Sequence, residues 1–85
     1  MRTSDAQRVS DWGAAFLRAG KIDDAITMYR WNVTNFPTNA GVYGDLGDAY
    51  AKTGDTAAAA QAYTKALSLS PGDADLTARL AKVQP

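Results

Sequence analysis

The chain has no cysteine, no histidine and no glutamate; all nine of its acidic residues are aspartate. Without Cys and His it lacks disulfides, thiol nucleophiles, the usual zinc ligands and the usual general base near neutral pH. The missing cysteines leave the redox compartment open. A net charge is missing too. Nine basic residues balance nine acidic ones, so no net field favours nucleic acid or an anionic membrane. No apolar run approaches the roughly 18 residues needed to span a bilayer. The opening MRTSDAQRVSDW is polar and lacks the apolar centre of a signal peptide. A cytoplasmic location is the expectation if the chain is complete.

What is abundant is alanine, 17 of 85 residues, with few β-branched residues, which favours helix over strand. A chain this short forms one domain with an expected stability of about 4–12 kcal/mol, at about 0.05–0.15 kcal/mol per residue.

The clearest order lies between Ala40 and Asp73, which carries Tyr43, Leu46, Gly47, Tyr50, Gly54, Ala59, Tyr63, Ala66 and Pro71. Residues 6–39 laid over 40–73 give a second copy. Gly13 then pairs with Gly47, Phe16 with Tyr50, Gly20 with Gly54, Ala25 with Ala59, Tyr29 with Tyr63 and Pro37 with Pro71.

Punctuation sets the helices. The first runs from about Asp5 to Ala19, capped by Ser4 or Asp5, with Val9, Trp12, Phe16 and Leu17 as its inward stripe. Gly20 ends it in the left-handed region. The second covers about Ile22 to Asn35, with Asp23 and Asp24 at the positive end of its dipole, and Phe36-Pro37 closes it. The third runs from about Ala40 to Thr53, capped by Thr38 or Asn39. The fourth spans about Thr56 to Ser68 and is capped by Asp55. A fifth, Ala74 to Val83, places Leu76, Leu80 and Val83 on one face. Gly13 and Gly47 inside helices are read as close-approach points, with Ala25 or Ala59 opposite. Asn32 stands where the second copy has Ala66; buried there, its amide must tie a loop carbonyl or amide.

The 34-residue series resembles the tetratricopeptide repeat, a helix–turn–helix unit of that period. The resemblance implies an all-α superhelix of two such repeats, about 6–39 and 40–73, plus a capping helix at about 74–83, all within one domain spanning 1–85. It implies a non-catalytic module that binds a peptide or protein through its concave groove, with no cofactor and no metal. Gly41 and Gly44 match groove-lining positions, where bare backbone lets a partner approach. Gln7, Ser10, Arg18, Asp48, Lys52 and Arg79 complete the expected groove set, whose mixed charge suggests a neutral or polar partner. One family subtype grips C-terminal carboxylates with a basic clamp. The matching residues here are Ser10, Ala14, Asp45, Asp75 and Arg79, of which only Arg79 fits, so such a clamp is not expected.

Other motifs carry less. Gly41, Gly44 and Gly47 lack the strand that precedes a phosphate-binding loop. Asp45 and Asp48, at i and i+3, are read as a solvated acidic face rather than a metal site. Asp73-Ala74-Asp75 reads as helix capping, because a calcium loop needs twelve residues and a distal acid. Trp31, matched by Lys65, should face outward and is a candidate interface residue, packing on a neighbouring domain, on a second copy, or against Phe36.

The run GAAFLRAGKIDDAITMYRWNVTNFPTNAGVYGDLGDAYAKTGD also resembles the C-terminal helical tail of some bacterial serine hydrolases of the β-lactamase-like and esterase type. That likeness implies an alternative role, a structural appendage or homodimerisation module. Trp31 and the face of the first helix would then dock a second copy or a covalently linked catalytic domain.

Overall fold

The computed structural model describes residues 5–84 and contains five helices in chain order. These are α1 (Asp5–Arg18), α2 (Ile22–Asn35), α3 (Ala40–Thr53), α4 (Thr56–Leu69) and α5 (Ala74–Val83). Among the described residues there is no strand. The fold is the expected all-α stack of helical hairpins: α1 packs on α2, α2 on α3, α3 on α4 and α4 on α5.

The two hairpins are closed by the same chemistry. After α1, Gly20 takes φ 79°, its N–H bonds the Leu17 carbonyl and the Lys21 N–H reaches back to Phe16. After α3, Gly54 takes φ 83°, with the matching bonds from Gly54 to Ala51 and from Asp55 to Tyr50. A side chain in this left-handed region is strained, so glycine is required at both turns. Between repeats, Phe36 and Ser70 leave the helical region before Pro37 and Pro71. Asn39 N–H then bonds the Phe36 carbonyl, as Asp73 N–H bonds Ser70.

Side-chain caps start three of the helices. Asn39 accepts from Gly41 N–H at 2.9 Å, Asp55 from Ala58 at 3.1 Å and Asp73 from Leu76 at 3.1 Å. α2 starts at Lys21 without a side-chain cap. Ser4, one candidate cap for α1, lies outside the described residues; Asp5 is already in the first turn. α1 ends one residue earlier than its sequence suggests and α4 one residue later, at Leu69.

The core forms two adjoining clusters. Ala25, Tyr29, Leu46, Ala49 and Ala62 make the first, with Phe16, Leu17, Ile26, Val33 and Tyr50 against it. Ala59, Tyr63, Ala66 and Leu76 make the second, joined by Tyr43, Leu67, Leu80 and Val83. Small residues bring the helices close enough for tyrosine to fill the space between them. Here the interior glycines differ from expectation: what lies over Gly13 is the ring of Tyr29, and over Gly47 the ring of Tyr63. A methyl group on Gly47 would sit 2.6 Å from that ring, inside van der Waals contact.

A second correction concerns Trp12. It is 62% exposed and is not part of the inward stripe of α1. The buried positions there are Ala6 and Gly13, flanked by Phe16 and Leu17. Trp12 points off their side of the helix. Asn32 is fully buried, and its Nδ2 donates to the Ala6 carbonyl at 2.9 Å, so it ties α2 to helix α1 rather than to a loop. Its Oδ1 has no hydrogen-bond partner among the described residues.

Candidate functional site

α1, α3 and α5 share one side of the stack, and two cavities open between them. The larger, about 470 Å³, is lined by Leu17 of α1, Asp48, Ala51 and Lys52 of α3, Tyr63 of α4, and Arg79, Lys82 and Val83 of α5. The smaller, about 80 Å³, lies between α1 and α3, against Ala6, Gln7, Ser10, Asn39, Gly41, Val42 and Asp45.

A polar network fixes one wall of the larger cavity. Tyr63 donates its hydroxyl to Asp48 Oδ1 at 2.6 Å, and Arg79 Nη1 reaches Asp48 Oδ2 at 3.1 Å. Arg79 Nη2 bonds Asp75 at 2.6 Å, one helical turn back on α5. One carboxylate thus joins α3, α4 and α5. Burial pushes the Tyr63 phenol upward, and the hydrogen bond to ionised Asp48 pushes it further. Burial works to lower the Arg79 pKa, but Asp48 and Asp75 outweigh it and the guanidinium is held charged. Tyr29, in the matching place of the first repeat, is pushed up to about 12, first by burial and then by Asp45 and Asp48.

Asp45 and Asp48 are therefore not a solvated acidic face. Asp45 accepts a short hydrogen bond from the Ser10 hydroxyl, which ties α1 to α3. Its carboxyl is raised above the ordinary value, chiefly by burial; the Ser10 bond lowers it and neighbouring Asp48 raises it. Both acids are structural links between helices. No cluster of three metal-ligating side chains occurs among the described residues.

The residues expected in a groove divide into groups. Asp48, Lys52 and Arg79 meet at the larger cavity. Gln7, Ser10 and Gly41 meet at the smaller one, with Gln7 donating to Asp11 at 2.8 Å. Arg18 is exposed at the end of α1 and lines neither. Gly44 is buried: a side chain there would meet Leu76 at 3.2 Å and Arg79 at 3.7 Å. Its bareness makes room for α5 and offers no open backbone to a partner. Trp31 is 48% exposed and rests edge-on against Phe36, with centroids 6.2 Å apart and planes at 62°.

Sequence reasoning missed the apolar floor of the larger cavity, Leu17, Ala51 and Val83. The signal was available in part. Leu17 and Ala51 are equivalent positions one repeat apart, each one residue after the aromatic Phe16 or Tyr50. It also missed Lys82 on the rim, which makes no ion pair among the described residues; both ion pairs belong to Arg79. No described helix is long and apolar enough to cross a membrane.

No curated protein sequence matches the chain. Among solved structures, the second tetratricopeptide domain of Spaghetti (RPAP3), bound to the HSP90 peptide SRMEEVD, superposes with a TM-score of 0.88 at 25% identity. That match covers 94% of this chain and 74% of the other. The first such domain of the same protein, with the same peptide, gives 0.88 at 20% identity, covering 98% and 68%; at that identity the likeness is one of fold. The MamA protein gives 0.81 at 26% identity, covering 93% of this chain but 43% of that one. The profile of the Tetratricopeptide repeat family matches residues 10–74, about three quarters of the chain. The chain is a member of the tetratricopeptide repeat family.

Proposed function

We propose that this chain is a non-catalytic peptide- or protein-binding module whose site is the larger cavity between α1, α3 and α5. The observation that carries this reading is the pairing of an apolar floor with an unneutralised basic rim. Leu17, Ala51 and Val83 offer a place for one apolar side chain. Lys52 and Lys82 stand beside it without ion-pair partners among the described residues. Arg79, by contrast, is committed to Asp48 and Asp75, so it is not free to clamp a terminal carboxylate. The fitting ligand is an extended segment with an apolar anchor and a nearby acidic or amide group. Binding of a peptide by two similar domains supports the class of function.

The test is a titration of peptides that differ in one central residue, Leu, Met, Ser or Lys, against the native chain and Lys52→Glu/Lys82→Glu. Both lysines are exposed, so the variant keeps its fold. The apolar peptides should bind tightest and lose affinity in the variant. Equal binding of all four, or no change in the double variant, would overturn the reading.

The alternative, a structural appendage docking on a linked catalytic domain or a second copy through Trp31 and α1, has less support at Trp31 itself. Half of that side chain is already covered, in part by Phe36.

A further inference from the structure

The larger cavity is electrically lopsided along the helix axes. The chain reverses at Gly54 and again at Pro71-Gly72, so α3 and α5 run the same way, with Tyr63 of α4 between them. At one end Arg79 of α5 reaches across to Asp48 of α3 at 3.1 Å and back to Asp75 at 2.6 Å. This bridge spans the gap between the two helices and walls the trough off there. Two carboxylates share one guanidinium, so that end is net negative. Both lysines lie towards the other end, in the last turns of α3 and α5. Lys52 follows Asp48 by four residues and Lys82 follows Arg79 by three, about 6 Å and about 4.5 Å along their helices. No other charged side chain lines the cavity among the described residues. Asp5, Arg8, Asp11 and Arg18 of α1 are exposed outside it, and Asp45 faces the smaller cavity.

The floor divides these two ends. Ala51 and Val83 adjoin the lysines in sequence, so an apolar side chain resting there has the bridge on one side and the ammonium groups on the other. Asp48 also keeps acceptor capacity. Each of its oxygens takes one hydrogen bond, from Tyr63 or from Arg79, and a carboxylate oxygen can take two. With its side chain 40% exposed, it can still accept from an amide N–H that enters the cavity.

We propose, on the reading of this cavity as a peptide site, that Asp48 is its specificity-determining residue. Through Asp48 the site reads on which side of the apolar anchor a ligand carries its acidic residue. The occupant is an extended segment lying along the trough. It sets an apolar residue on the floor, a carboxylate next to it at the lysine end, and a neutral donor such as an amide at the Asp48 end. An acid at the lysine end meets two ammonium groups that make no ion pair among the described residues. An acid at the other end meets Asp48 and Asp75, whose guanidinium is already shared between them, and like charges brought together are penalised. Moving the acid from one side of the anchor to the other shifts it two residues, about 7 Å in an extended chain. That exceeds one helical turn, about 5.4 Å, and so carries it from the lysines to the bridge.

Isothermal titration of the full chain with four peptides tests this. Each has a central Leu in a Ser/Ala background, with Asp just before it, just after it, on both sides or on neither; a Ser-centred peptide is the control. For the native chain, one singly acidic peptide should bind about three- to ten-fold more tightly than the other. The doubly acidic peptide should not exceed the better single one. Asp48→Asn should bring the two orders within about two-fold and make the doubly acidic peptide the tightest. Asp75→Asn, at an exposed residue outside the core, should act the same way by a smaller factor. Circular dichroism checks that both variants are folded. Raising salt from about 20 mM to about 500 mM should shrink the order preference and keep the preference for Leu over Ser, because only the first is a charge effect. Equal binding of the two orders, with Leu still preferred over Ser, would overturn the inference and leave the peptide site standing. An order preference that persists in folded Asp48→Asn would overturn the role of Asp48. No preference for Leu over Ser would overturn the peptide site itself.

Discussion

The two hairpins share a frame and differ in how they are tied. Each places a tyrosine ring over an in-helix glycine, Tyr29 on Gly13 and Tyr63 on Gly47. In the second, the Tyr63 hydroxyl finds Asp48, and through it Arg79 and α5. In the first, the residue at the place of Asp48 is Ala14, and the tie is instead the amide of Asn32 on the Ala6 carbonyl. The second also has both flanks covered. A repeat of this kind is thus a fixed geometric frame on which polar links and burial are assigned by the neighbours each copy has. Equivalent residues can have unequal energetic weight.

The sharpest break of that comparison is at positions 46 and 12. Leu46→Ala should cost about 2–5 kcal/mol, through lost burial and the cavity left behind. Trp12→Ala removes a larger side chain from the matching position, yet should stay within about 0.5 kcal/mol, because that ring is exposed in the monomer. Urea unfolding of both, at concentrations where the chain is monomeric, decides it. Similar losses would mean that the two positions are packed alike.

The glycine–tyrosine pairs, by contrast, should prove alike. Gly13→Ala and Gly47→Ala put a methyl group into a ring that has no free space, so each should lose about 1–3 kcal/mol to overpacking. This outweighs the helix-propensity gain of about 1 kcal/mol. Gly44→Ala is the built-in control. Its neighbour at 3.2 Å is the tip of Leu76, which can shift, so the variant should be close to neutral. If Gly13→Ala and Gly47→Ala both stabilise the chain, the rings do not occupy the positions described.

Those glycines also mark where the sequence was legible. Helix ends followed from residues whose chemistry acts locally: Gly20 and Gly54 at positive φ, Pro37 and Pro71, and the Asp55 and Asp73 caps. Five helices and their pairing could be read from these and from the 34-residue period. What could not be read depends on contacts across helices. Trp12 fits an apolar stripe by spacing, but whether that side of α1 is covered depends on what packs beside it. Gly44 resembles open groove backbone until α5 is laid across it. Asp45 and Asp48 look solvated along α3, and only the approach of Ser10, Tyr63 and Arg79 makes them links. For the groove, the sequence indicated Asp48, Lys52 and Arg79, but not that Arg79 would be consumed internally while Lys82 makes no ion pair among the described residues.

Removing one hydroxyl from each tyrosine separates the frame from the ties. Tyr63→Phe loses a hydrogen bond to an ionised acceptor and should cost about 1–2 kcal/mol. Tyr29→Phe should cost under about 0.5 kcal/mol, since no carboxylate stands at the place of Ala14. Equal losses on thermal or urea unfolding would show that the Asp48 link carries no weight.

The smallest effect concerns Asp45, and it can be isolated by pH. Burial raises its carboxyl above the ordinary value, and the opposing Ser10 hydrogen bond does not cancel that. The folded chain therefore holds this proton more tightly than the unfolded chain does. Between the unfolded value, about 3.9, and the higher folded one, the folded state carries more protons, so stability falls as pH rises through that window. The contribution is fully present below the unfolded value and lost above the folded one. Asp45→Asn removes the titration while its side-chain carbonyl can still accept from Ser10. At pH 7 the variant should have the higher urea midpoint. As the pH drops towards about 3, the native chain gains its own proton on Asp45 and the two midpoints should draw together. The first repeat has Asp11 at the matching position, where the side chain is exposed, which supplies the contrast. Asp11→Asn should show no comparable convergence. A variant Asp45→Asn that is less stable than the native chain at pH 7 would mean that the ionised carboxylate, bonded to Ser10, is worth more than its burial costs.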